Sequence, residues 1–171
     1  SKVDTIKKLI RPDDAQPVNM QTPPHKLLSL AAKNDSKDII KYLITAAKES
    51  RILDSVDQKG NTMLMDFCVN RDEISQYVIS ELIDAGASVD VVGNNDIRFT
   101  ALMTSIFLGN EVMVDLLLKG KPDINVVGGH DENTTALSLA GNNQSILTKL
   151  RSQPNVSTLQ KLRNKPRRAL G

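Results

Sequence analysis

Apolar residues recur along this chain in paired bursts at helical spacing, and the cleanest pair lies between Thr100 and Gly120. Leu102, Ser105 and Ile106 fall at i, i+3 and i+4, one face of a helix. Gly109 ends that stretch as a left-handed cap, and Asn110 stands where it can cap a second helix. In that second helix Val112, Met113, Leu116 and Leu117 supply the apolar stripe, with Glu111, Asp115 and Lys119 on the other side. Gly120 closes it. The stretch Lys121-Pro122-Asp123-Ile124-Asn125-Val126 reads as an extended excursion, because Pro122 forbids helix continuation and Ile124 and Val126 alternate inward. The predicted unit is helix, tight turn, helix, long protruding turn.

The unit is repeated. A seven-residue phrase opens each copy, beginning at Lys26, Thr62, Thr100 and Thr135, with offsets of 36, 38 and 35 residues, the period of a helical solenoid. Copy two runs three residues longer than copy three between its first helix and Gly86, an excess expected near Arg71-Asp72-Glu73. Copy one starts its second helix at Asp35-Ser36-Lys37-Asp38 and buries Ile39, Ile40, Leu43 and Ile44; copy four carries Ile146, Leu147 and Leu150 on a clipped second helix, as a terminal cap does. Residues 1–19 resemble the second helix and excursion of a further unit whose first helix is absent, which points to more of the array, or an adjoining domain, upstream. The repeat array itself covers 20–156. In 157–171, Ser157-Thr158-Leu159-Gln160 has a reciprocal-cap pattern, predicting a short capping helix over Ser157 to Arg163 before a basic tail.

Composition agrees with helices. Aromatics are 3% of the 171 residues and Trp is absent, so the core must come from Leu, Ile, Val, Met and Ala, which suits thin helical layers. The 22 basic and 20 acidic side chains leave a net charge of +2, too balanced for the positive field of a nucleic-acid binder, and three Phe and two Tyr are too few for base stacking. One asymmetry stands out: Lys161, Arg163, Lys165, Arg167 and Arg168, read as a solvated tail or a targeting signal. No signal peptide or long apolar run is visible, and the single Cys68 cannot close an internal disulfide, so an intracellular setting, cytoplasm or nucleus, without membrane contact is expected.

Four degenerate copies agreeing in order and spacing make the chain resemble the ankyrin repeat family. The matching residues are Asp57-x-x-Gly60-x-Thr62-x-Leu64, Gly109 to Leu118, Ala85-Gly86-Ala87-Ser88-Val89-Asp90 and Leu30-Ala31-Ala32-Lys33-Asn34. The resemblance implies an all-α helix-turn-helix solenoid with protruding fingers. Departures are informative. The family's His is replaced by Ser29, Met65, Met103 or Ser138, which removes its hydrogen bonds and should weaken the fold locally. The turn glycine at Gly60 becomes Arg98 and Asn133; Asn tolerates a left-handed backbone while Arg does so at greater cost, so a differently shaped loop is expected at Arg98. By analogy with the family, first helices line a concave groove. That geometry nominates Lys33, Asp66, Val69, Asn70, Thr104, Phe107, Leu108 and Leu139 there, and Asn95, Asp96, Arg98, Phe99, His130, Asp131 and Glu132 at the fingertips.

Each candidate carries two readings. Phe107 and Leu108 are either packing residues or an apolar hot spot for a partner. Asp66, where other copies have Leu30, Thr104 and Leu139, is either a solvated groove residue or an acidic contact for a basic peptide. Cys68 reads as a small buried hydrophobe, since a nucleophile needs a base and the only histidines, His25 and His130, belong to other units. Two histidines and one cysteine close no zinc site without recruited carboxylates, so no metal or cofactor is assigned. Gly128-Gly129 lacks the following Lys of a phosphate cradle, and Asp131-Glu132 or Asp13-Asp14 on turns read as solvated or capping groups. The expectation is a non-catalytic module that binds a protein or peptide, takes no small-molecule substrate and is monomeric in isolation. Two alternatives stand: a targeting or regulatory domain of a multidomain enzyme, such as an effector that intracellular bacteria deliver into host cells, and a spacer or self-association element built on Ile6, Leu9 and Ile10.

Overall fold

In a computed structural model the described residues are Asp4 and 24–155. The expected helix and excursion within 1–19 and the capping helix and basic tail of 157–171 lie outside them. The described residues hold eight helices and no strand: α1 (Pro24–Lys33), α2 (Lys37–Glu49), α3 (Met63–Cys68), α4 (Glu73–Ala85), α5 (Ala101–Phe107), α6 (Glu111–Lys119), α7 (Ala136–Ala140) and α8 (Gln144–Arg151). They follow one another in pairs. α3, α5 and α7 pack in one row and α2, α4, α6 and α8 in a second.

The recurring Thr explains where the first helices start. Thr62, Thr100 and Thr135 are N-caps whose hydroxyls accept from the backbone N–H three residues on, at 3.3, 3.2 and 3.2 Å. Two of the residues at the fourth position of the phrase complete the cap: Met65 Sδ and Ser138 Oγ accept from the backbone N–H of Thr62 and Thr135. The hydrogen bonding expected to be lost is therefore partly replaced. Copy one differs, for α1 begins at Pro24, and Pro suits a first helical turn, so Lys26 lies inside the helix.

Leu28, Ile40, Leu64, Ile79, Leu82, Leu102, Met113, Leu117 and Ile146 form one continuous core across the pairs. The extra length of copy two is not at Arg71-Asp72-Glu73. Asp72 caps α4 through Ser75 N at 2.8 Å and holds that turn to the length of its counterpart, while α4 runs 13 residues against 9 in α6. Copy four is short in both members, 5 residues in α7 and 8 in α8. Asn110 occupies the N-cap position of α6, yet its side chain makes no cap bond; its Nδ2 donates to Cys68 O at 3.2 Å and Asn70 O at 2.7 Å, tying copy three to copy two.

The excursions are stitched in register. Asn94 N donates to Gly60 O at 2.8 Å and Gly129 N to Arg98 O at 3.0 Å. Arg98 keeps the left-handed backbone of Gly60, φ 53° against 79°, so the turn at this point is preserved rather than remade. In the next copy Glu132, not Asn133, takes that conformation, at φ 54°. Behind the second helices, Asp54 Oδ1 accepts Ser88 N at 2.7 Å and Asp90 Oδ1 accepts Asp123 N at 2.9 Å, repeating one bond from copy to copy. Burial, with Asp123 close by, holds the Asp90 carboxyl above its ordinary value. Gly120 ends α6 at φ −71°, right-handed, and Lys121 supplies the left-handed turn at 54°. The glycine is there for room: a Cβ on it would stand 2.7 Å from Val89 Cγ1.

Gly60 needs both freedoms, because its φ is 79° and an added Cβ would overlap the Asn94 backbone. Gly109, also left-handed, has open space around it. Gly60→Ala should therefore cost about 1–3 kcal/mol in urea denaturation and more than Gly109→Ala does. Equal losses in the two variants would remove the account of finger stitching.

Candidate interaction surface

Several side chains that leave the first helices and their C-terminal ends away from the core are apolar. Leu30 on α1, Val69 at the end of α3, and Phe107 and Leu108 at the end of α5 are exposed, Phe107 by 66% and Val69 by 55%. Ile106 directs itself into the core and its neighbour Phe107 is thereby turned outward, so the packing reading of Phe107 fails; Phe67 is the phenylalanine that packs. Phe99, half-buried before α5, meets Phe107 edge to face, with ring centroids 5.9 Å apart and an interplanar angle of 62°. Lys33 and Asn70 are exposed beside this strip, while Thr104 and Leu139 are half-buried. Thr104 Oγ1 is turned back to Thr100 O at 3.0 Å.

The end of α5 is held firmly. Arg71 reaches across from copy two and its guanidinium donates to Leu108 O at 2.9 Å. Together with the Asn110 bonds to Cys68 and Asn70, this fixes the C-termini of α3 and α5 relative to each other.

Several nominated residues are engaged inside the protein. Asp66 is not a solvated groove residue: its side chain is 22% exposed, its Oδ2 lies 2.9 Å from His25 Nδ1, and its Oδ1 accepts from Asn61 Nδ2 at 3.3 Å. Asn95 folds its finger, accepting from Arg98 N at 2.8 Å and donating to Asn61 Oδ1 at 2.6 Å. Arg98 pairs with Glu132 on the next finger, and Asp131 accepts from Asn133 N. Asp96 and His130 are exposed at the tips. Two exposed apolar tip residues, Ile97 and Val127, were not nominated; Ile97 stands between Asp96 and Arg98, and Val127 between half-buried Val126 and Gly128, and singly exposed aliphatics of this kind are ordinary on a protein surface.

His25 was missed as a partner of Asp66 because 41 residues separate them. Asp57 lies in the same place. One potential ligand atom from each of His25, Asp57 and Asp66 falls within 4.8 Å of the others, so the carboxylates that the histidine count lacked are supplied by folding. An open hollow between the loops after α2 and α4 is lined by Lys48, Arg51, Leu53 and Gly86 and gathers no cluster of catalytic groups.

Cys68 is fully buried, and burial pushes its thiol up to about 12, with the Asp66 charge adding to the rise and a contact with Ser105 opposing it. Such a thiol is neither nucleophile nor ready metal ligand at neutral pH. No helix among the described residues is long and apolar enough to cross a membrane. No protein-family model and no curated protein matches this chain.

The raised Cys68 value has a sign. The folded state keeps the proton, whereas the unfolded chain loses it near the ordinary value of 9.0, so this contribution to stability is complete below about pH 9 and disappears as pH rises towards about 12. Wild type should accordingly lose stability in that window relative to Cys68→Ala in urea titrations. At neutral pH, Ellman's reagent should leave the native thiol unmodified and titrate it fully in urea; rapid labelling of the native protein would contradict the burial.

Proposed function

We propose that this chain is a protein-recognition module with an ankyrin-type solenoid architecture, taking a protein or peptide partner along the groove of its first helices and the adjoining fingers. The observation that carries the reading is Phe107. A phenylalanine two-thirds exposed and seated on Phe99, with Val69, Leu108 and Leu30 likewise exposed on or at the ends of first helices, has no structural work that keeps it in water. Exposed aromatics of this kind anchor interfaces. Arg71 and Asn110 support the reading, since a strip whose helix ends are already fixed loses little freedom when a partner binds. The repeat pattern of the sequence supports the architecture. The engaged state of Asp66, Asn95, Arg98 and Glu132 concentrates recognition on the apolar strip and away from an acidic contact for a basic peptide. The module is non-catalytic on this reading, and its natural setting is inside a cell.

The test compares wild type with Phe107→Ala as affinity baits in cell extract, followed by binding constants with the purified partner. Phe107→Ala should keep its melting temperature, because an exposed side chain changes stability by only about 0.5 kcal/mol, and should bind the partner at least about tenfold more weakly. A partner held equally well by both baits would move the interface off this strip.

A further inference from the structure

The first two helix pairs meet around a polar cluster that the recognition surface does not use. His25, on the first turn of α1 and 6% exposed, places its ring against α3 and the segment before it. Nε2 faces Ser55 O at 3.2 Å and Nδ1 faces Asp66 Oδ2 at 2.9 Å. A neutral imidazole that donates to Ser55 carries its lone pair on Nδ1. In that tautomer the lone pair confronts a carboxylate oxygen, an arrangement that a cation bound by both atoms relieves.

A proton is the smallest such cation, but it does not account for Asp57. One ring nitrogen of His25 and one oxygen each from Asp57 and Asp66 converge within 4.8 Å, and the nitrogen beside Asp66 is Nδ1. One imidazolium beside two carboxylates leaves a net negative charge in a half-buried place, whereas a divalent ion brings it to zero. The remaining atoms are arranged as supports. Asp57 Oδ1 accepts from Lys59 N at 2.8 Å and Asn61 N at 2.9 Å, and Asp66 Oδ1 accepts from Asn61 Nδ2 at 3.3 Å, which leaves the second oxygen of each carboxylate for the centre. A backbone carbonyl on the far ring nitrogen is the orienting contact that metal-bound imidazoles take.

We propose that His25 Nδ1, Asp57 and Asp66 form a site for a first-row divalent transition metal of the zinc type, joining copy one to copy two. Imidazole with two carboxylates selects that class over the oxygen-seeking calcium and magnesium. Ligands of one tetrahedral zinc lie about 3.3 Å apart, so rotation of the two short carboxylate side chains closes the set. Both carboxylates are partly exposed, which leaves water able to complete the coordination. Because the ligands come from two helix pairs, the bound ion stabilises their stacking.

The experiment uses the full chain, stripped with chelator and titrated with Zn²⁺ by calorimetry and thermal melting. Saturable binding at a single site and a raised melting temperature are expected, with no such rise from Ca²⁺. Asp57→Asn is the decisive variant, since its amide oxygen still accepts from Lys59 and Asn61 and the His25–Asp66 contact is untouched. It should melt like metal-free wild type and bind zinc at least about tenfold more weakly. X-ray absorption at the zinc edge should show nitrogen and oxygen ligands. Absence of saturable zinc binding would overturn the site and leave an imidazolium–carboxylate pair in its place; affinity unchanged by Asp57→Asn, or a sulfur ligand, would overturn it by placing the metal elsewhere.

Discussion

Each helix pair in this protein can bury its apolar stripe only against its neighbours, and that dependence governs everything else. Ile40, Ile79, Met113 and Ile146 sit on successive second helices within one buried cluster, and each of these helices packs on the next. Stacking of this kind supplies the stabilisation but is nearly blind to register, because aliphatic contacts are non-directional. Register comes from polar bonds that recur once per copy: finger N–H to finger carbonyl, Asp54 to Ser88, Asp90 to Asp123. The hydrophobic term holds the pairs together, and the hydrogen bonds decide how they are placed.

The division explains what the sequence could reveal. Helix existence and order follow from local spacing, and the Thr that starts three of the four phrases marks a real cap. Buried positions such as Leu102 and Ile106 follow from the same period. What was illegible depends mostly on contacts between copies, the Asp72 cap within copy two being the local exception. The longer copy two puts its extra residues at the end of α4 because Asp72 fixes the turn before it, a bond visible only once Ser75 N is located. Asn110 looks like a helix cap and serves as a staple, since the open carbonyls of Cys68 and Asn70 lie 42 and 40 residues away in sequence and adjacent in space. Arg98 tolerates a left-handed backbone because its carbonyl receives Gly129 N and its side chain meets Glu132; two local compensations outweigh a cost of about 1–2 kcal/mol.

The candidate surface was legible for the same reason and to the same extent. Phe107 and Val69 project outward because of their helical phase, which the spacing contains. Asp66 shares that phase, yet it is withdrawn from solvent by His25, a residue of the preceding copy that stands one place before the phrase and outside the repeat pattern. A repeat reading compares equivalent positions, so it is insensitive to a side chain that has no equivalent. The buried histidine is such a side chain, and the carboxylates it meets looked like ordinary turn and helix-surface residues.

Exposure of an aromatic strip is a liability in any array whose ends and faces can associate. The chain confines it to a region where backbone positions are fixed from both sides, by Arg71 on the α5 terminus and Asn110 on the α3 terminus. Loose apolar residues would adapt to many surfaces and order themselves at a cost with each. Residues held at a set spacing, with Phe107 braced by Phe99, favour the few surfaces that match them. On the recognition reading proposed above, the same polar bonds that place one pair on the next also set the selectivity of the surface the pairs carry, so a substitution at Arg71 or Asn110 would alter binding through the placement of α3 and α5 rather than through a direct contact.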